Sequence, residues 1–249
     1  MTHIKIEDLG LIYEDKWVFE NLNLKIKEHE FISIVGPSGC GKSSLLKILV
    51  GTLEQDKGQL KVDGNIVQGL NNHFAYMPQD DLLFNSKTVI ENITLYQKIH
   101  CLTHNREEIN SLLKQFGLYE VKDAYPDALS GGMKQRVAFL RTVMVERDIL
   151  LLDEPFGALD IFTRNALQDW LKKIAKELNK TIILVTHDID EALYLSDRIL
   201  VMGGSPSRMI NEIDLSKEVQ SREWLANQGD RRNTIYGLIT NPQLGGLSK

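Results

Sequence analysis

The stretch FISIVGPSGCGKSSLLKILVG, residues 31–51, confines this chain to few folds. FISIV reads as a buried strand, Gly36 to Ser43 fit the spacing G-x-x-x-x-G-K-[ST], and Leu45, Leu46, Ile48 and Leu49 recur at helical spacing until Gly51 stops the helix. A strand, a glycine loop and a helix in that order make a phosphate cradle. Glycines let the backbone curl until successive N–H groups face inward, and the helix N-terminus adds its positive dipole end. In such a loop Lys42 neutralises β- and γ-phosphates, and the Ser43 hydroxyl is a ligand for Mg²⁺. Cys40 stands beside the lysine and the helix N-terminus, both of which lower a thiol pKa.

Other strands deliver the remaining chemistry. ILLLDEP ends in Asp153 and Glu154: an aspartate leaving a strand beside the glycine loop is placed to hold Mg²⁺, and the next carboxylate to act as general base on an attacking water. TIILVTHD brings His187 to the end of another apolar strand. Parallel strands carry their ligands in the crevice beyond their carboxyl ends, so the loop, the acidic pair and the histidine converge. ILLLD, the helix from about Thr163 to Leu178, TIILVTHD and RILVM alternate as strands and helices of a buried parallel sheet do.

ALSGGMKQRVAF has half of a site. Ser130, Gly131 and Gly132 open a helix with Met133, Val137, Leu140 and Met144 on one face, which offers free N–H groups to an anion. It has neither a lysine for phosphate nor a neighbouring carboxylate for a metal.

At 249 residues the chain can bury a substantial core. The net charge of −5 provides no basic field for nucleic acid. No apolar run approaches bilayer length, and the N-terminus lacks the pattern of a secretory signal. Only Cys40 and Cys101 occur, far apart, so the expectation is a reducing, cytosolic setting. Residues 85–145 carry helix signals with little strand, which predicts a helical insertion between core strands. From Gly203 onward the chain reads as polar and irregular, except that REWLANQGDRRNTIYGLI fits a helix packing on the body.

The glycine loop, YMPQDD, LSGGMKQR, LLLDEPFGALD and VTHD, in this order, resemble the ATP-binding subunit of an ABC transporter over residues 1 to about 205. The resemblance implies an α/β fold: a P-loop NTPase (RecA-like) core with a mainly parallel sheet, an N-terminal antiparallel β subdomain and an inserted α-helical subdomain. It would make residues 1–205 the ATPase domain and 206–249 a tail packed on it. Gly36, Pro37, Ser38, Gly39, Cys40, Gly41, Lys42, Ser43 and Ser44 would cradle the nucleotide, and Tyr13 would stack on adenine. Glu154 would activate water and His187 would contact the γ-phosphate. Gln79 would sense Mg²⁺ and the γ-phosphate while touching the membrane partner, joining Ser43 and Asp153 around the metal.

The same resemblance completes the half site. Two such subunits face each other head to tail, so Ser130, Gly131 and Gly132 would bind the γ-phosphate of ATP held in the partner's glycine loop, and Ala158 to Asp160 would reach across the dimer. Integral-membrane permease subunits would be direct partners, and a periplasmic or lipid-anchored solute-binding protein an indirect one, with the subunit peripheral on the cytoplasmic face. DEPFGALDIFTR and the compact length particularly resemble importers of the nitrate, sulfonate and taurine group, although Asn85 and Ser86 stand where that group usually has Pro-Trp. Two alternatives share the ATP chemistry: a soluble ABC ATPase acting on nucleic acid or ribosomes, and an exporter ATPase.

Overall fold

A computed structural model describes residues 2–103 and 105–241. The chain runs β1 (Thr2–Tyr13), β2 (Lys16–Lys27), β3 (Phe31–Val35), α1 (Lys42–Val50), β4 (Lys57–Val62), β5 (Asn65–Val67), β6 (Phe74–Met77), α2 (Val89–Ile93), α3 (Leu95–Ile99), α4 (Arg106–Gln115), α5 (Gly131–Val143), β7 (Ile149–Asp153), α6 (Ile161–Glu177), β8 (Thr181–Val185), α7 (Ile189–Leu195), β9 (Arg198–Gly204), β10 (Ser207–Asp214), α8 (Arg222–Ala226) and α9 (Gly229–Thr240).

The strands form one sheet in the order β5-β4-β1-β2-β10-β9-β3-β8-β7-β6. From β9 to β6 every neighbouring pair is parallel, and β3, β7 and β8 are buried at every position, as strands covered on both faces must be. The pairs β1–β2, β1–β4 and β4–β5 are antiparallel, and β2 alternates buried with exposed residues from Leu22 to Lys27, the pattern of a half-covered strand. The expected parallel core with an antiparallel N-terminal part is therefore present.

Helices cover both faces. Leu45, Leu46, Ile48 and Leu49 of α1 pack with Ile4, Ile6, Phe19 and their neighbours on one side. On the other, α4, α5 and α6 meet the sheet through aromatic rings, with Trp170 edge-on to Phe116 at 4.9 Å and to Phe139 at 5.8 Å between centroids. The described residues between β6 and β7 contain α2 to α5 and no strand. None of the described helices is long and apolar enough to cross a membrane.

The C-terminal part differs from its sequence reading. Residues after Gly203 form β10, antiparallel to β9 with Met209 opposite Met202, so a boundary at 205/206 falls within a hairpin and residues 207–214 belong to the sheet. The expected single helix is two, α8 and α9. Ile235 and Leu238 of α9 are buried against Val35, Ala192, Ile199 and Ile210.

Candidate active site

In the sheet, β3, β8 and β7 lie side by side, with Ile34 opposite Val185 and Val185 opposite Asp153. The residues that follow are the glycine loop, Thr186–His187 and Glu154, all leaving one edge of the sheet. On the far side of β7, β6 pairs Met77 with Leu152, which brings Gln79 to that same edge.

The loop's conformation needs its glycines. A Cβ on Gly36 would stand 2.2 Å from the Met202 carbonyl oxygen, and Gly41, at φ 96°, would press on Val18 and Phe19 at 2.8 Å. Lys42 is buried, and its Nζ donates to the carbonyls of Gly36 and Pro37 at 2.9 Å each, which fixes a positive charge inside the loop. No side chain caps α1 and its first turn has no acid, leaving its N–H groups to an anion. Ser38 and Gly39 are exposed at the loop's tip, and Ser44 is half-buried in the first turn of α1. Burial pushes the Cys40 thiol pKa up and outweighs the lowering by Lys42. Tyr13 is 68 % exposed at the end of β1, in the hairpin whose second strand packs Val18 and Phe19 against Gly41.

Ser43 Oγ donates to Asp153 Oδ1 at 3.1 Å. Asp153 is 2 % exposed, and burial drives its carboxyl pKa up; the Ser43 hydrogen bond opposes the rise and Glu154 adds to it. A buried carboxylate and a hydroxyl converging on one point are hard oxygen donors, which suit Mg²⁺.

Glu154 is the pivot. Its Oε2 lies 3.2 Å from His187 Nδ1 and 3.5 Å from Gln79 Nε2, so the carboxylate, the histidine and the glutamine meet at one point. His187 and Gln79 are both exposed. Asp188 caps α7, and Thr186 Oγ1 donates to buried Glu191 at 2.7 Å. Burial raises the Glu191 pKa from 4.5 to about 7.

The half site stays a half. Ser130 Oγ caps α5 by accepting from Met133 N–H at 3.3 Å, and no hydrogen bond among the described residues joins Ser130–Gly132 to the glycine loop. A Cβ on Gly131 would meet nothing within 4 Å, whereas one on Gly132 would come 3.3 Å from the Ala158 carbonyl. Asp160 accepts from Phe162 and Thr163 N–H at 3.1 and 3.0 Å, capping α6, and the Thr163 side chain, together with these backbone bonds, holds its pKa below the usual aspartate value.

Sequence reasoning missed two residues of α5. Gln135 Nε2 donates to the Glu154 carbonyl at 3.0 Å while its Oε1 accepts from Ala158 N–H at 2.9 Å. Arg141 donates to the carbonyls of Asp81 and Leu82 at 2.7 Å each, just beyond Gln79. Both read as solvent-facing polar residues of a helix; the only available signal is that they lie inside the LSGGMKQR segment or close behind it.

Comparison with known proteins agrees with this geometry. The family model described as ABC transporter matches residues 19–157. An aliphatic sulfonates import ATP-binding protein of Pseudomonas syringae pv. tomato is 44% identical over 223 residues, covering 89% of this chain and 88% of the relative. An uncharacterized ABC transporter ATP-binding protein of Methanocaldococcus jannaschii is 40% identical over 222 residues, 86% of this chain and 83% of that one. Among solved structures, a dimeric ATP-binding cassette in a post-hydrolysis state with ADP and Pi superposes with a TM-score of 0.76 at 30% identity, covering 85% of this chain and 98% of that one. The chain belongs to the ABC transporter family, as an ATP-binding subunit.

Proposed function

We propose that this chain hydrolyses ATP as a head-to-tail homodimer on the cytoplasmic face of a membrane, driving import of a small anionic or organic solute through partner permease subunits. The observation that carries this reading is the split site. Glu154, His187 and Gln79 meet beside the Ser43–Asp153 pair, while Ser130 and Gly131 present a capped, open helix N-terminus that makes no hydrogen bond to any of them. A second copy turned about a twofold axis would bring its Ser130–Gly132 onto a nucleotide held by Gly36–Ser44, with Tyr13 against the adenine.

In the assembled site Lys42 and the loop N–H groups neutralise the phosphates. Ser43, Asp153 and Gln79 would hold Mg²⁺, which when bound spreads the charge of the β- and γ-phosphates. Glu154 takes a proton from the attacking water, and His187, in contact with the Glu154 carboxylate, orients that base and reaches the γ-phosphate. Ala158 to Asp160 would lie along the dimer contact. Closure by ATP and opening after hydrolysis would move the permease, because ATP favours the closed dimer only through contacts that form there. Aliphatic sulfonates, named for the Pseudomonas relative, are the first solutes to test.

The deciding experiment is Glu154→Gln. It should abolish turnover yet accumulate an ATP-bound dimer on size-exclusion chromatography with light scattering; turnover at the parental rate would exclude Glu154 as the base. Co-purification with a permease, and stimulation of ATP hydrolysis by a sulfonate-loaded binding protein, test the importer assignment.

A further inference from the structure

We propose that Gln135 is a positioning residue that makes the general base of one nucleotide site depend on occupancy of the other. The inference rests on the head-to-tail dimer proposed above.

Gln135 is 9% exposed, in the second turn of α5, and its amide is used at both ends. Nε2 donates to the carbonyl of Glu154 at 3.0 Å and Oε1 accepts from Ala158 N–H at 2.9 Å. One side chain therefore spans both ends of the turn that carries the base towards α6. Flipping the amide would set donor against donor and acceptor against acceptor, so the orientation is fixed.

Glu154 needs such support. Its φ of 49° is in the left-handed region, which a non-glycine residue keeps only when its surroundings over-determine it. Three hydrogen bonds hold that backbone: Glu154 N–H to the Val185 carbonyl at 2.9 Å, Gly157 N–H to the Glu154 carbonyl at 3.3 Å, and the Gln135 bond. The first two stay within the sheet edge and the turn itself. Among the described residues, Gln135 supplies the hydrogen bonds that tie the turn's backbone to α5, beside the packing of Phe156 on Phe139. Because the backbone at Glu154 sets the direction of its Cα–Cβ bond, it sets where the carboxylate points.

The other end of the connection is the half site. Gln135 lies about one helical turn from Ser130 and Gly131, and the same first turn of α5 abuts the Ala158 carbonyl at Gly132. Within one subunit, then, the residues that grip the partner's ATP and the base that activates water at the subunit's own ATP are joined through α5 and the Gln135 amide. A phosphate drawn onto Ser130–Gly132 shifts or steadies α5, and Gln135 transmits this to Glu154 of the opposite site. ATP in either site thereby completes the base of the other.

The test uses the full chain and two variants. Gln135→Glu keeps the acceptor for Ala158 but loses the donor to Glu154; Gln135→Met keeps the length and loses both bonds. We expect steady-state hydrolysis by the parent to show a Hill coefficient above one for ATP. In both variants kcat should fall about tenfold or more, as misplacement of a catalytic group does, with KM within about threefold of the parent and a Hill coefficient near one. Each variant combined with Glu154→Gln should still form the ATP-bound dimer. Parental kcat and cooperativity in the variants, a non-cooperative parent, or a change confined to KM would each overturn the proposal. Loss of folding by both variants, or of the dimer only when Gln135 is replaced, would make the residue structural and also overturn it. Failure of Glu154→Gln alone to dimerise would instead strike the dimer reading, and this inference with it.

Discussion

At the nucleotide site, two glycines lack a side chain for opposite reasons. Gly36 has no room for one, since its Cβ would lie 2.2 Å from a backbone carbonyl in β9. Gly131 has room, and nothing among the described residues claims it. Gly36→Ala should therefore lose stability by about 2 kcal/mol or more, because backbone must move, and lose ATP binding with it. Gly131→Ala should match or exceed the parent in thermal stability, alanine being the better helix former by up to about 1 kcal/mol. Its hydrolysis should nevertheless collapse, because the methyl would occupy the place proposed for the partner's nucleotide. A Gly131→Ala enzyme with parental turnover would remove the composite site. Glu191 makes a separate prediction. Its folded-state pKa of about 7 exceeds the ordinary 4.5, so its contribution to stability is whole below 4.5 and lost as pH rises through 7. Glu191→Gln removes that loss while leaving an acceptor for Thr186. The variant's stability relative to the parent should rise across this interval, by at most about 3 kcal/mol, in denaturant melts recorded from pH 4.5 to 8.

Among the elements, α5 does the most connecting. Its N-terminus carries the half site, Gln135 holds the Glu154 turn, and Arg141 clamps the carbonyls of Asp81 and Leu82. Arg141→Ala would leave two carbonyls without their charged donor, at a cost of about 1–3 kcal/mol readable as a lower urea midpoint with an unchanged slope. The segment after Gln79 should then lose amide-exchange protection while β3 and β7 keep theirs. These tethers were the least legible part of the site. The strand, glycine loop and α1 can be read from residues 31–51 because every requirement there is local: periodicity, a stop at Gly51, a lysine at fixed spacing. A glutamine in a helix looks solvent-facing until a partner distant in sequence buries it. β10 was missed for the same reason. SRMINEID is polar by composition, and its buried Ser207 and Ile210 acquire meaning only beside β9.

Across the whole molecule the two kinds of sheet meet at a narrow seam. β10 joins β2 through a single register pair, Ser207 opposite Phe19, so packing rather than a long ladder unites the antiparallel part with the parallel core. Patterning predicts the parallel strands and the family resemblance implies the antiparallel part, but neither predicts this junction, because strand order is a property of distant contacts. Phe19 sits at the seam, fully buried, and its ring also backs Gly41 of the glycine loop. Phe19→Ala should cost about 3–5 kcal/mol, the usual price of an aromatic cavity, and should also weaken ATP binding by letting the loop relax. Ile235→Ala in α9 is the matched control: it is equally buried, in a separate cluster formed with β9 and α7, and should cost about 2–5 kcal/mol. If stability alone governed nucleotide affinity, both variants would lose it in proportion to their unfolding free energies. If the seam supports the loop, isothermal titration with ATP well below the melting temperature will find affinity lost in Phe19→Ala and retained in Ile235→Ala.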